Sequence, residues 1–155
     1  MALDTYGAKR LAKAKRVLRR FLQDTPELNR LIRKKEIEDE DYEICIELAI
    51  DDWNATTPHV GVMRIEHFPS LYLLVLGADV QALRMAGIYQ SRNELNYQAL
   101  GSSFTRANKT QYYIMWLQNF QQEWEKKKKD FKIAMNVELG YGGSFSEYLY
   151  IGYDF

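Results

Sequence analysis

The sequence of 155 residues contains one cysteine, two histidines and three prolines. The single cysteine, Cys45, excludes a disulfide within the chain, and its apolar neighbours Ile44 and Ile46 predict a small buried residue. His59 and His67 lie eight positions apart without a third ligand at metal spacing, so we expect no metal site. The single cysteine favours a reducing compartment.

Catalytic and cofactor-binding patterns are also missing. Gly101-Ser102-Ser103 lacks the lysine and the flanking residues of a phosphate-binding loop. No nucleophile stands near a base in the sequence, although a site assembled from distant residues would leave no such signal. The acids of segment 41–54 have the spacing of a solvated helix face. We therefore predict that the chain is not an enzyme and binds no cofactor.

Net charge is absent as well, because 21 basic residues balance 21 acidic ones. No global field therefore draws the chain toward nucleic acid or anionic lipid. The charge is instead segregated along the chain. Residues 1–22 hold seven basic residues and one acid, whereas residues 36–52 hold nine acids and no base.

One long apolar run is present, Ser70–Tyr89, and its apolar residues keep helical spacing on more than one face. It predicts the central helix of a core. Pro69 and Ser70 mark its start, because proline disfavours helix in the residue before it and serine can cap the first turn. In a membrane span, Asp79 and Arg84 would each cost roughly 2.5 kcal/mol or more. We predict no membrane association, and the N-terminus lacks the apolar stretch of a secretion signal.

Apolar residues at three- and four-residue spacing predict four further helices. These helices cover Gly7–Leu22, Pro26–Ile37, Asp41–Asn54 and a segment from Thr105 or Asn108 to Met135. We predict a mainly α protein, a helical bundle with a short extended loop or hairpin and an extended C-terminal arm. Its parts are a basic N-terminal helical extension at 1–40, the bundle core at 41–136 and the arm at 137–155.

The last long helix has an aromatic seam and a lysine run. We expect the seam to face the central helix; it consists of Tyr113, Leu117, Phe120, Trp124 and Phe131. The run Lys126–Lys129 lies near the end of the helix, where positive charge suits the helix dipole. We interpret it as a solvated face.

From Asn136 the spacing changes to alternation, which predicts an extended strand or arm. An arm that is aromatic on both faces is difficult to bury in a domain of this size and promotes aggregation if it stays exposed. We predict that it docks on another subunit, with folding back on its own domain as the alternative. The predicted interface residues are Arg16, Arg19, Arg20, His59, Val60, Val62, Met63, Tyr141, Phe145, Tyr148, Tyr150, Tyr153 and Phe155.

Three motifs stand in a fixed order between Tyr42 and Met135. They are the helix YEICIELAIDDWN, the run FPSLYLLVLGADVQALRMAGIYQSRNELNY after a TP-containing extended segment, and NKTQYYIMWLQNFQQEWEKKKKDFKIAMN after a polar loop. This order resembles the head-to-tail connector, adaptor and head-completion proteins of the tailed-bacteriophage neck. The likeness covers roughly two thirds of the chain and consists of helix and loop patterns more than signature residues. The basic N-terminal pair of helices is not part of the family pattern.

The resemblance implies a structural virion protein, made in the host cytoplasm and located at the head-to-tail junction. Proteins of this family assemble as a ring, commonly of twelve subunits, under the portal. The implied partners are further copies, the portal protein and other neck or tail proteins, reached by the arm and by loop 57–68, with DNA passing through the lumen. In such a ring the basic first helix and the acidic segment 36–52 can meet between adjacent subunits.

Two other functions stay open. One is a nucleic-acid-binding module that uses the basic N-terminal helix, which predicts affinity that falls steeply with salt. The other is a tail-terminator or stopper ring protein. A basic amphipathic helix also suits lipid or an acidic protein face, and the plainest interpretation is the solvated face of a docked helix.

Overall fold

A computed structural model of the chain describes residues 5–28, 33, 35, 37–92, 97–99, 102–104 and 110–141. Within these residues there are four α-helices, α1 (Thr5–Phe21), α2 (Asp39–Ala55), α3 (Leu71–Arg92) and α4 (Thr110–Tyr141). A 3-10 turn, Ile65–His67, precedes α3, and two short antiparallel strands, β1 (Tyr97–Ala99) and β2 (Ser102–Phe104), connect α3 to α4. The predicted fold class, a mainly α helical bundle, is confirmed.

α3 is the centre of the bundle, as the long apolar run predicts. It packs against α1, α2 and α4, and its first three turns are almost continuously buried from Leu73 to Val80. The helix begins one residue after Ser70, whose hydroxyl accepts the amide of Leu73 at 3.5 Å. The predicted cap is therefore in place.

The core is shared by all four helices. α1 contributes Ala14 and Leu18, so the basic N-terminal helix belongs to the same core as the helices that follow it. α2 contributes the stripe that its sequence spacing predicts, namely Tyr42, Cys45, Ile46, Ala49 and Trp53. The expectation that Cys45 is buried is confirmed.

α3 approaches α2 and α4 closely at Gly77. A Cβ atom at this position would lie 2.9 Å from the Trp124 ring of α4 and 3.1 Å from the Cβ of Ala49 in α2. Trp53 fills the neighbouring space, with its ring centroid 5.1 Å from that of Phe68 and 6.3 Å from that of Trp124. A glycine is needed here because its missing side chain lets α3 approach both partners.

The predicted helix Pro26–Ile37 is wrong in the residues that the structure describes. Residues 26–28 form a turn, and 33, 35 and 37 are not helical. The carboxylate of Asp24 accepts the Ile37 amide at 3.1 Å and the Tyr42 hydroxyl at 3.1 Å, which draws the segment toward α2. A short helix with few apolar anchors is marginal in water, and Leu28 is mostly exposed.

The hairpin is not at 55–68, where an extended loop or hairpin is predicted, but at 97–104. Residues 56–64 have no strand, and the Asn54 side chain closes this loop by donating to the Met63 carbonyl at 3.0 Å and accepting its amide at 2.8 Å. The predicted boundary of the C-terminal arm is also wrong, because α4 continues to Tyr141. Helix-compatible residues persist up to Leu139, and the first glycine follows at 140.

The close approach at Gly77 gives a test of the packing. We expect Gly77→Ala to destabilise the fold by about 1–3 kcal/mol, because the added methyl group overlaps the Trp124 ring and Ala49. The matched control is Gly87→Ala, since a Cβ there meets nothing within 4 Å, and we expect a gain of about 0.5–1 kcal/mol from better helix propensity. Urea unfolding measures both, and equal effects of the two substitutions would contradict the packing.

Candidate functional site

The predicted loop residues lie at the surface to different degrees. His59 is exposed and the Val62 side chain is 83% exposed, whereas Val60 and Met63 are half-buried. Arg10 of α1 supports this part of the chain by donating to the carbonyls of Glu66 and Phe68, the former at 2.8 Å. The loop thus presents Val62 on a backbone that α1 and α2 hold in place.

Of the predicted interface residues in the arm, only Tyr141 lies within the described part of the chain, as the last residue of α4. The other predicted arm residues lie outside it, and they are Phe145, Tyr148, Tyr150, Tyr153 and Phe155. The docking of the arm on another subunit therefore stays a prediction.

α1 carries a row of exposed cations, which we call the basic stripe. It consists of Lys9, Lys13, Arg16 and Arg20, all exposed and spaced by four, three and four residues, so they share one helix face. The predicted interface residues Arg16 and Arg20 belong to this stripe. The stripe is a positive surface about three turns long.

Arg19, the third predicted interface arginine, is held inside the fold. Its guanidinium lies 2.5 Å from the Asp39 carboxylate and 3.7 Å from that of Asp24, and 4.9 Å above the Tyr42 ring. Burial and, next, the Asp24 carboxylate raise the pKa of Tyr42, so its hydroxyl remains a donor. Arg19 therefore joins α1 to α2 and to the turn after α1.

The basic first helix and the acidic segment do attract each other, but within one subunit. Lys15 pairs with Glu43, and Arg19 pairs with Asp39. Contacts of this kind between adjacent subunits stay a prediction, and these two pairs form within one subunit. The two pairs form because α1 packs alongside the first half of α2.

The interpretation of Lys126–Lys129 as a solvated face is wrong for Lys128. Its side chain is 1% exposed, and its ammonium donates to Asp52 at 2.7 Å and to Glu125 at 3.1 Å. The Trp124 indole nitrogen donates to the same Asp52 oxygen at 2.7 Å. Asp52, predicted to be merely solvated, therefore joins α2 to α4 through two donors.

Lys132 is buried one turn further along α4. Its ammonium donates to the carbonyls of Trp53 and Thr56 at the end of α2, where unpaired carbonyls and the helix dipole attract a cation. Burial, followed by the charge of Lys128, lowers the pKa of Lys132. Phe131, a predicted seam residue, is 42% exposed. The positions of α4 that face inward after Trp124 are four and eight residues further on, and they are occupied by Lys128 and Lys132.

Large apolar side chains remain exposed at both ends of α4. At its start Tyr112, Met115 and Trp116 are 65%, 48% and 50% exposed, and at its end Val137 and Leu139 are 50% and 70% exposed. Soluble monomers rarely expose many large apolar residues close together, and such surfaces mark interaction sites. These two ends are the strongest candidate contact surfaces in the described residues.

An apolar groove between α1 and α3 contains one acid. The cavity has a volume of about 200 Å³ and is lined by Val17 and Phe21 of α1 and by Tyr72, Val75 and Asp79 of α3, among others. We call it the Asp79 groove. Asp79 is 1% exposed, and neither of its oxygens has a hydrogen-bond partner among the described residues. Burial raises the pKa of Asp79 to about 8.

Metal binding and membrane insertion receive no strong support. Among the described residues there is no group of three or more His, Cys, Asp or Glu that could hold a metal ion. Segment Leu71–Tyr89 of α3 is long and apolar enough to cross a membrane, but 56% of its apolar window is buried in the bundle. The core helix of a soluble protein satisfies the same criteria.

Comparison with known proteins gives no match. No family model matches the chain, and no curated protein and no solved structure is significantly similar to it. Function is therefore inferred from the chain's own surfaces and from the order of its three motifs.

The Asp52 contacts predict a measurable asymmetry in stability. We expect Asp52→Ala to cost about 2 kcal/mol or more, because it leaves the buried Lys128 ammonium with Glu125 as its one remaining acid. Lys128→Met should cost less, since it removes the buried charge and leaves Asp52 in contact with water. Asp51→Ala, at an exposed neighbour, should stay within about 0.5 kcal/mol. Urea unfolding ranks the three, and a larger loss for Lys128→Met than for Asp52→Ala would contradict this account.

Proposed function

We propose that this chain is a ring-forming structural subunit of a tailed-bacteriophage neck, a connector or adaptor that joins the portal to tail components without catalysis. The proposal is supported by the resemblance of segment 42–135 to that family and by the mainly α bundle that the resemblance implies. The observation that carries it is the exposed apolar surface at the two ends of α4. A subunit that functions alone has no need of such a surface.

The length of α4 supports contacts to more than one neighbour. Its 32 residues span about 48 Å, compared with about 26 Å for the 17 residues of α2. Tyr72, at the start of α3, donates to Glu123 at 2.8 Å, so α4 continues well past the start of α3. Met135 still packs against the core, whereas Val137 and Leu139 are at least half exposed. The last turn of α4 thus extends beyond the core.

The arm gives the direct test. We expect the chain truncated after Tyr141 to keep its helical circular dichroism, because α4 stays whole, and to lose binding to portal or neighbouring neck protein. The mass of each protein alone and of the mixture with a candidate portal protein, measured by light scattering, checks this expectation.

A full-length variant tests whether binding depends on the aromatic side chains of the arm or only on the presence of the arm. Serine at the five aromatic positions Phe145, Tyr148, Tyr150, Tyr153 and Phe155 should abolish binding as truncation does. The control, Tyr6→Ser, changes an aromatic residue of α1 that is 60% exposed and should bind normally. If the truncated protein still assembled with its partners, the role of the arm would be wrong.

The basic stripe favours a second candidate, a nucleic-acid-binding module. Lys9, Lys13, Arg16 and Arg20 present four cations on one face, and none of them forms an ion pair with another described residue. Phosphate backbones bind to such surfaces. The balanced net charge of the whole chain limits this attraction to the stripe.

Salt dependence tests this second candidate. Wild type should bind nonspecific duplex DNA with an affinity that falls steeply with salt. Arg16→Gln with Arg20→Gln should reduce the slope by up to about 1.8, or about 0.9 for each phosphate that is no longer neutralised. The control pair Lys35→Gln with Lys126→Gln removes two exposed cations outside the basic stripe and should leave the slope unchanged. An absence of DNA binding by wild type at low salt would exclude the module.

A further inference from the structure

The Asp79 groove contains a carboxyl group that the described part of the chain does not satisfy. Its walls are aliphatic or aromatic, and the one hydroxyl among the lining residues, that of Tyr72, bonds to Glu123 and Lys127 and not to Asp79. A buried polar group without a partner is unfavourable, and a buried charge without one is more so. An occupant that brings a cation into the groove would remove this deficit.

The size of the groove limits that occupant. Its volume of about 200 Å³ lies below the roughly 300–1,000 Å³ of small-molecule sites. A single long side chain is a better match, because lysine and arginine lay an apolar stem against apolar walls and carry the charge at the end. Phe21 and Tyr72, which line the groove, are about half exposed. The Lys127 ammonium of the same chain already lies 4.4 Å from the Tyr72 ring centroid, as expected for an aromatic ring that attracts a cation.

The chain itself offers a matching surface on α4. Lys129, Ile133 and Val137 are all exposed and are spaced by four residues, so they form one stripe with a cation at one end. Ile133 and Val137 are 54% and 50% exposed. An apolar groove with an acid and an apolar stripe with a base are complementary in both polarity and charge.

We propose that the Asp79 groove binds the Lys129 side chain of a second copy of this chain. The groove and the stripe are different surfaces, so the contact is head to tail, and it closes a ring when the rotation between copies allows. The contact between copies is argued from these two surfaces and does not require the proposed function. Only the closure of the copies into a ring rests on the proposed function.

A double-mutant cycle tests the pairing. In sedimentation equilibrium at pH 8, wild type should self-associate, and Asp79→Asn and Lys129→Gln should each weaken association by at least about thirtyfold, as expected for one partner of a desolvated charge pair. The double variant should be no weaker than either single one, because the two groups act together. Lys126→Gln, at another exposed lysine of α4, is the matched control and should associate like wild type.

The pH dependence separates an ion pair from a purely structural effect. Lysine binds the ionised carboxyl, so association releases a proton, and the dissociation constant should fall about tenfold per pH unit up to about pH 8 and then level off. The groups around Asp79 are the Cys45 thiol on α2, whose pKa is raised to about 11 by burial, and the Tyr72 hydroxyl, which contacts Glu123 and Lys127 on α4. The α1 residues that line the groove do not titrate. Asp79→Asn should therefore show a flat profile from pH 6 to 8.

Each outcome decides one part of the proposal. If wild type stays monomeric at the highest soluble concentration, a second copy is not the occupant. If wild type associates but neither substitution matters, the groove is not the contact, although the proposed ring stands. If Asp79→Asn weakens association and Lys129→Gln does not, the assignment to Lys129 is wrong. Circular dichroism of each variant identifies any loss of fold, and portal binding measured on the same samples tests the proposed function separately.

Discussion

The bundle depends on the close contact of α3 with α2 and α4 at Gly77. Because this position has no side chain, the Trp124 ring can lie against the backbone of α3 while Trp53 fills the space beside it. The position of Trp124 in turn sets the register of α4, since its indole nitrogen reaches Asp52. Lys128 and Lys132, one and two turns further on, then meet the end of α2. One steric constraint thus aligns three helices and the buried cations between them.

Composition and spacing predicted the fold class, the central helix, its serine cap and the inward stripe of α2, because these features depend on local periodicity. The buried lysines were not predictable in the same way. Lys126–Lys129 is a run of identical residues, so composition and charge do not distinguish Lys128 from its neighbours. The distinction arises from the spacing of four after Trp124 and from an acid that lies 76 positions earlier in the sequence.

Only some features of the candidate surfaces could be predicted from the sequence, and the reason is related. The cationic face of α1 is visible in the sequence, but Arg19 departs from it because Asp24, Asp39 and Tyr42 come together only in the folded chain. The end of α4 was predicted too early, since alternation and helical spacing overlap where apolar residues are dense. The Asp79 groove has no signal in the sequence beyond one acid in an apolar run, and in the sequence that acid argues only against a membrane span.

The distribution of unsatisfied groups distinguishes this chain from a self-sufficient bundle. Inside, the charged side chains of Asp24, Lys128 and Lys132 all have partners within the chain. The buried polar atoms without a hydrogen bond in the described residues are both oxygens of Asp79, the Trp53 indole nitrogen and one guanidinium nitrogen of Arg19, so Asp79 is the one carboxyl group among them. Large apolar side chains also stay exposed at the two ends of α4. A helical bundle that pairs its interior lysines so completely has no structural need to leave one buried carboxyl without a donor. That contrast is the physical reason to look for the missing partner in another molecule.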